Sequence, residues 1–324
     1  QPEPALAICM NTLDHPIHRQ VQLGFLDGCR DLGYEDVSII GAVGGDQAGQ
    51  LDMALEWAKS VEGRPAAMLL WNGDHNSDEL CEKLDEMGVY VGIPHFAVFV
   101  EDDYEAIDDY WMNGDISALG KVRLPKGVDF ELKMDDCRAG KYAAEFIAKK
   151  LDGKKGSIIS LVNVKNSAVN YHEWEFSDTF DELKAQGKYD LSQVKMLDSV
   201  LAGGEFEMCK TITLGILLEN RDILGIFCTP INLAKACVEA RERYGKSADD
   251  IVIMSYLIME ENVELFEKGD VDMLIGRRMY DEAYKCAENF DKLFKGEKVP
   301  KFEFLEAEYL TEETADELLP KYKE

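Results

Sequence analysis

The stretch ALAICMNTLDHPIH, from Ala5 to His18, decides the predicted fold of this chain. Its first part, Ala5 to Met10, is a continuous apolar run, which indicates a strand. A short polar turn follows, and Pro16 fits the first position of a helix, where its missing N–H costs nothing. Apolar residues then recur at near-helical spacing, at Ile17, Val21, Phe25, Cys29 and Leu32.

The turn between this strand and this helix supplies the first candidate ligand-binding residues. In an open parallel sheet, the loop that leaves the carboxyl end of a strand faces the ligand crevice. The polar residues expected to contact a ligand there are Asn11, Thr12, Asp14, His15 and His18.

The same alternation of strand and helix continues along the chain and predicts parallel sheets covered by helices on both faces. The predicted strands are Val37–Ile40, Ala66–Trp71, Val89–Ile93, Ser157–Val162, Val194–Val200, Ile223–Cys228, Ile251–Tyr256, Met273–Gly276 and Phe302–Tyr309. The predicted helices include Gln50–Ser60, Asp78–Met87, Arg138–Leu151, Glu173–Leu183, Phe206–Leu218, Asn232–Tyr244, Glu260–Lys268 and Asp281–Phe294. The acidic and aromatic interval from Ala97 to Met134 interrupts the pattern, as a surface excursion before a domain crossover would.

Length and charge limit the classes of protein that fit. A chain of 324 residues predicts two domains of roughly 150 residues each. With 63 acidic against 35 basic residues, the formal net charge is −28. Such a surface repels nucleic acid and anionic lipid. The chain begins at Gln1 without an initiator methionine, which favours a mature protein whose targeting segment has been removed.

The eight cysteines are interpreted as small apolar residues of strands and helices. They contain no CxxC pair, which argues against metal and disulfide roles.

Four stretches, taken in this order, resemble the ribose- and galactose-binding type of periplasmic solute-binding protein, whose core also occurs in the lactose-repressor family. They are TLDHP, MDDCRAGKYAAEFIAKKLDGKKGSIISL, DILGIFCTPINLAKACVEA and FEKGDVDMLIGRRMYDEAYKCAENFDKLFKGEKVP. The resemblance implies an α/β fold of two Rossmann-like lobes joined by a three-crossover hinge. The expected lobes are 1–131 plus 277–302 and 132–276 plus 303–324.

The resemblance also implies a function. We expect an extracytoplasmic protein, periplasmic or lipid-anchored, that acts as a monomer without a cofactor and delivers a sugar or polyol to an ABC transporter permease. The alternatives are a ligand-sensing regulator or chemoreceptor core and a binder of an anionic or aromatic metabolite. A DNA-binding regulator is disfavoured because the chain enters its first strand without a basic helix-turn-helix.

The resemblance extends the candidate site beyond the first turn. Asn72 follows the third strand, and His95 and Phe96 follow the fourth. In the second lobe the matching positions are Trp174, Pro230, Tyr256 and Arg277, with Thr229, Asn232 and Arg278 as alternatives. Asn232, rather than Pro230, is taken as the candidate ligand-binding residue. This set lacks the aspartates that read sugar hydroxyls in ribose binders and is rich in aromatic rings and histidine, so simple ribose is disfavoured.

Several of these residues have a structural interpretation as well. Trp71 is expected in the core, and Trp174 could equally lie beneath the sheet. Arg277 could form a hinge salt bridge, and Tyr256 could close the edge of a core.

The chain has five histidines, and several of them lie near the candidate site. His15, His18, His95 and His172 fall at or beside candidate positions, where imidazole could bind a metal or hydrogen-bond a polar organic ligand. We predict the second role, because HPIH is not an established metal-ligand spacing. The chain contains no GxGxxG, GxxxxGK[ST] or GxSxG motif, so we predict a binding protein rather than an enzyme.

Overall fold

The computed structural model describes residues 2–10, 13, 16–41, 47–71, 78–94, 126–134, 136–162, 167–229 and 233–323. The chain divides into two compact units. The first unit consists of Gln1–Met134 and Arg278–Leu305, and the second of Asp135–Arg277 and Glu306–Glu324. The chain therefore passes from one unit to the other three times.

Strands and helices alternate along most of the described chain. The strands are β1 (Ala5–Met10), β2 (Val37–Gly41), β3 (Ala66–Trp71), β4 (Val89–Pro94), β5 (Phe130–Met134), β6 (Gly156–Val162), β7 (Val194–Met196), β8 (Val200–Leu201), β9 (Ile223–Cys228), β10 (Val252–Tyr256), β11 (Met273–Gly276), β12 (Phe302–Leu305) and β13 (Glu308–Leu310). The helices are α1 (Pro16–Asp31), α2 (Gln47–Ser60), α3 (Asp78–Glu86), α4 (Asp136–Lys150), α5 (Ser167–Gln186), α6 (Phe206–Glu219), α7 (Ala234–Arg243), α8 (Glu260–Glu267), α9 (Met279–Phe294) and α10 (Ala315–Lys323).

The first unit contains a parallel sheet in the order β12-β5-β4-β3-β1-β2. Every residue of β1 and β3 is buried, as expected for central strands with helices on both faces. Their register pairs Met10 with Trp71, so both strands end together at one edge of the sheet. We call the edge where the parallel strands end the carboxyl edge.

Helices α1 and α9 pack closely on each other in this unit, although the chain separates them by almost its whole length. A Cβ on Gly24 would lie 2.1 Å from the carbonyl oxygen of Tyr280, so only glycine allows this approach. The rings of Phe25 and Phe290 meet edge to face at 6.1 Å beside this contact.

The second unit contains a sheet in the order β13-β11-β10-β9-β6-β7, with β8 also paired to β6. Strand β13 is antiparallel to β11, whereas the other pairs are parallel. Apolar residues of β6, β9, β10 and β11 form one core with residues of α6, α7 and α8.

Most predicted elements agree with the structure to within three residues at each end, and three differ more. The single strand predicted over Phe302–Tyr309 is two strands, because β12 belongs to the sheet of the first unit and β13 to that of the second. The strand predicted over Val194–Val200 is likewise divided into β7 and β8. Helix α5 begins at Ser167, six residues before the predicted start at Glu173, because its polar first turns hide the apolar period.

The described cysteines are buried, as predicted for small apolar residues: Cys9, Cys29, Cys81, Cys209, Cys228, Cys237 and Cys286. Burial raises the pKa of the Cys9 thiol to about 12. Among the described residues, none of the helices combines the length and apolar character that crossing a bilayer requires.

Candidate functional site

The strand order locates one candidate ligand-binding edge in each unit. In the first sheet β1 lies between β2 and β3, so the direction of strand addition reverses between β1 and β3. In the second sheet it reverses between β6 and β9. Open α/β sheets bind ligands at the carboxyl ends of the strands that flank such a reversal.

Eight predicted site residues lie outside the described residues: Asn11, Thr12, Asp14, His15, Asn72, His95, Phe96 and Asn232. Three of them directly follow described strands, since Asn11 follows β1, Asn72 follows β3 and His95 follows β4. The predicted residues that the structure does describe are His18, Trp174, Tyr256 and Arg277.

In the first unit, His18 and Trp71 meet at the carboxyl edge. His18 belongs to the first turn of α1 and is 8% exposed, and its ring lies edge to face with Trp71 at 5.2 Å. Trp71 is buried, as predicted from the alternation, yet it is also the last residue of β3. Its contact with His18 therefore connects the core of the first unit to the candidate site.

Gln50 joins the ends of the two strands that flank the reversal in the first sheet. Its buried side-chain amide donates to the carbonyl oxygen of Trp71 at 3.1 Å and to that of Cys9 at 3.4 Å. These carbonyls lie where β1 and β3 end and the candidate loops begin. Sequence analysis identified Gln50 only as part of a helix. The hydrogen-bond partners of its side-chain amide depend on the tertiary structure and cannot be read from the sequence.

Three almost fully buried rings pack together at the carboxyl edge of the second unit: Tyr256 is 7% exposed, His172 2% and Phe227 0%. His172 stacks on Tyr256 with the ring centres 4.3 Å apart and the planes 7° from parallel. The ring of His172 also lies edge to face with Phe227 at 6.1 Å. Tyr256 ends β10 and Phe227 lies next to the end of β9, while His172 comes from α5. We call His172, Tyr256 and Phe227 the aromatic wall.

Trp174 does not belong to this wall. It lies two residues beyond His172 in α5, a rotation of about 200° around the helix axis. It is 52% exposed, whereas His172 is 2% exposed. The interpretation of Trp174 as a residue buried beneath the sheet is therefore wrong, and its predicted contact with a ligand stays a prediction.

The residues on either side of Trp174 are acidic and mostly buried. Burial raises the pKa of Glu173 and that of Glu175 above the usual range for a carboxyl group. Glu175 forms an ion pair with Lys141 of α4 at 3.2 Å. This pair fixes α5 against α4 next to the wall.

Arg277 follows the end of β11 and belongs to the second unit. Its Nη1 donates to the backbone oxygen of Glu306 at 2.8 Å, and no hydrogen-bond partner of its buried Nε occurs among the described residues. The neighbouring Arg278 belongs to the first unit, lies 3.8 Å from Asp281 and covers the ring of Tyr280. The two adjacent arginines therefore have different surroundings.

The described part of the chain contains no group of three or more histidine, cysteine or acidic residues arranged to hold a metal ion. His15, His75 and His95 lie outside that part. The hydrogen-bonding role predicted for the histidines thus stays a prediction.

A cavity of about 340 Å³ lies elsewhere on the second unit, lined by Tyr142, Glu145, Phe146, Lys149, Lys150, Tyr189, Asp272, Thr311, Glu312 and Glu313. None of the predicted site residues lines it. Asp272 precedes β11 and Thr311 follows the antiparallel β13, which places the cavity at the edge opposite the aromatic wall.

Two parallel α/β units with a candidate binding edge in each define a class of two-lobed binding protein. The model of the periplasmic binding protein domain matches residues 126–298, more than half of the chain, and the chain belongs to this family. No curated protein matches the sequence.

Solved structures of sugar-binding proteins have the same fold over nearly the whole chain. The solute-binding protein from Actinobacillus succinogenes 130z with bound D-allose is 17% identical, with a TM-score of 0.76 over 98% of this chain and 99% of that chain. The Agrobacterium vitis protein with bound D-fucose is 18% identical, with a TM-score of 0.74 over 99% of each chain. The sugar-binding protein from Bacillus halodurans is 15% identical, with a TM-score of 0.76 over 97% and 99%. These likenesses confirm the predicted fold, that of type I periplasmic binding proteins.

Proposed function

We propose that this chain is an extracytoplasmic solute-binding protein that captures a sugar or polyol and supplies it unchanged to an ABC importer. The observation that carries the proposal is the combination, at one carboxyl edge, of the aromatic wall with the guanidinium of Arg277.

The chemistry of these side chains suits a ring with an apolar face and several hydroxyl groups. An aromatic ring contributes about 0.5–1.5 kcal/mol beyond burial when it packs on a ligand face. A guanidinium offers five N–H donors in a rigid fork, and one of those of Arg277 donates to the Glu306 carbonyl. Hydroxyl oxygens accept such bonds, and the net charge of −28 disfavours anionic ligands in comparison with neutral ones.

Calorimetric titration tests the proposal directly. The panel is D-allose, D-fucose, D-arabinose, D-galactose and ribitol, with D-galacturonate as the anionic comparison. We expect one neutral compound to bind with a Kd of about 1 µM or tighter. Recovery of that compound unchanged after long incubation separates a receptor from an enzyme.

Two adjacent arginines provide a matched pair of variants. We expect Arg277→Ala to weaken binding at least about tenfold, because a hydrogen bond from a charged group contributes roughly 1.5–3 kcal/mol. Arg278→Ala should leave the affinity nearly unchanged. If Arg278→Ala weakened binding and Arg277→Ala did not, the ligand-binding arginine would be Arg278. If only D-galacturonate bound, the ligand would be an anionic metabolite rather than a neutral sugar.

Trp174→Ala tests whether the ligand contacts Trp174, a candidate from the sequence, or only the aromatic wall. Since Trp174 lies on the other side of α5 from His172, we expect the variant to retain its affinity for the bound sugar. A loss of tenfold or more would show that Trp174 contacts the ligand.

A further inference from the structure

Leu257 has an unusual backbone conformation at the carboxyl edge of the second unit. Its φ is +73°, and within the described part of the chain it is the one non-glycine residue with a positive φ. This left-handed conformation strains an L-residue, since its Cβ approaches the following carbonyl oxygen. Leu257 comes directly after Tyr256 of the aromatic wall.

Two hydrogen bonds hold the backbone of Leu257 in place. Its N–H donates to the carbonyl oxygen of Ile275 at 2.6 Å, which extends the pairing of β10 with β11 by one residue. Its carbonyl oxygen accepts a bond of 3.0 Å from the side-chain amide of Asn262. Asn262 belongs to α8 and is only 1% exposed.

The neighbouring strand β11 ends in a glycine, Gly276, which packs tightly against this turn. A Cβ on Gly276 would lie 3.0 Å from the backbone nitrogen of Ile258 and 3.1 Å from the Cα of Leu257. Leu257 and Ile258 are both buried. A residue keeps a strained backbone conformation only where several surrounding contacts enforce it, and such residues cluster at functional sites.

We infer that Asn262 is a positioning residue for the ligand site: it holds Leu257 in the left-handed conformation and so fixes Tyr256 against His172, beside Arg277. The inference rests on the proposed function for its consequence in ligand affinity. Its structural part, the placement of Tyr256, is measurable without any ligand.

The test uses the ring contact between Tyr256 and His172 as a reporter. A histidine ring stacked on tyrosine has its C–H resonances shifted upfield by the ring current, and NMR of the imidazoles detects this shift. We expect Asn262→Ala to reduce the upfield shift of His172 and to weaken binding of the sugar found in the panel by about tenfold.

A matched pair at position 257 separates strain from the loss of the buried side chain. Both Leu257→Ala and Leu257→Gly remove that side chain, but only glycine adopts a positive φ freely. We expect Leu257→Gly to have the higher urea midpoint of the two. We also expect Asn262→Ala to change the His172 shift less in the Leu257→Gly background than in the Leu257→Ala background.

Each outcome decides the inference. An unchanged His172 shift in Asn262→Ala, or a Leu257→Ala variant at least as stable as Leu257→Gly, would overturn it. Where Asn262→Ala does not fold, the comparison at position 257 still overturns the inference if Leu257→Ala is at least as stable as Leu257→Gly. If the shifts behave as expected while no compound of the panel binds, the positioning role stands and the proposed function fails.

Discussion

At the scale of single residues, buried and half-buried polar side chains fix the backbone of the strands beside them. Asp129 is one of them, just before β5. Its carboxylate accepts the N–H of Val91 at 2.7 Å, and its own N–H donates to the Val91 carbonyl at 2.8 Å. Burial raises the pKa of Asp129 to about 6, and repulsion from Asp85 adds to the shift.

Asp129 should therefore make stability depend on pH. Its folded pKa lies above the ordinary value of 3.8, so the folded state holds the proton more tightly than the unfolded state. The stabilisation that protonation contributes is complete below about pH 4 and is lost as the pH rises through about 6. The shift corresponds to at most about 3 kcal/mol.

Asp129→Asn isolates this effect from the many other carboxyl groups, because asparagine still accepts the Val91 N–H but does not titrate. Urea unfolding of both proteins at pH 4.5 and pH 7 is the measurement. We expect the wild type to lose stability relative to Asp129→Asn between these values. A constant difference would mean that Asp129 has an ordinary pKa.

Candidate site residues could be predicted from sequence only where their position at the end of a strand fixes their location. Arg277 and Tyr256 follow from the place where an apolar strand stops. Gln50 and Asn262 do not, because each bonds backbone atoms whose location only the folded chain reveals. Helix geometry places His172 and Trp174 on different faces of α5, but only the structure shows which of these faces is buried.

At the scale of elements, glycine allows helices to approach closely in both units. Gly24 of α1 meets α9, and Gly140 of α4 meets α5. A Cβ on Gly140 would lie 2.4 Å from the carbonyl oxygen of His172, 2.9 Å from the Cβ of Glu175 and 3.0 Å from the backbone nitrogen of Phe176. The contact therefore positions the helix that carries His172.

Gly140→Ala should displace α5 from α4. Overpacking of this kind costs typically about 1–3 kcal/mol, and we expect a lower urea midpoint together with weaker sugar binding. Gly215 of α6 is the control, since a Cβ there meets nothing within 4 Å. Gly215→Ala should be neutral or stabilising by up to about 1 kcal/mol. Equal stability of the two variants would contradict the close contact.

The elements themselves were largely predictable because buried strands are continuous apolar runs. One exception has a clear physical cause: the run from Phe302 to Tyr309 has no break in its pattern, although the chain changes sheets between Leu305 and Glu306. Which sheet a strand joins depends on pairing partners distant in sequence. Apolar periodicity contains no information on that choice.

At the scale of the whole molecule, charge is the dominant surface property. Acidic residues exceed basic ones by 28. Ion pairs such as Lys83–Glu79 at 2.6 Å and Lys149–Glu313 at 3.0 Å lie on the surface, where each contributes about 0–1 kcal/mol. The remaining carboxylates repel one another, and this repulsion destabilises the folded state.

Salt should consequently stabilise this protein near neutral pH. The screening length falls from about 10 Å at 0.1 M to about 3 Å at 1 M, which weakens the repulsion of the excess carboxylates and also the few attractive surface pairs. Because the repulsive pairs are in excess, the net effect is a higher Tm, by about 2–4 °C for each kcal/mol gained in a unit of this size. Calorimetric scans at pH 7.5 in 20 mM and 500 mM NaCl measure it.

The same scans close to the isoelectric point, about 4.5, provide the control. There the net charge vanishes and salt screens mainly attractive pairs, so the stabilisation should disappear or change sign. If salt raised the Tm equally at both pH values, its cause would be a general exclusion of salt from the protein surface rather than charge repulsion. A loss of stabilisation confined to the lower pH would instead identify the acidic surface as the source.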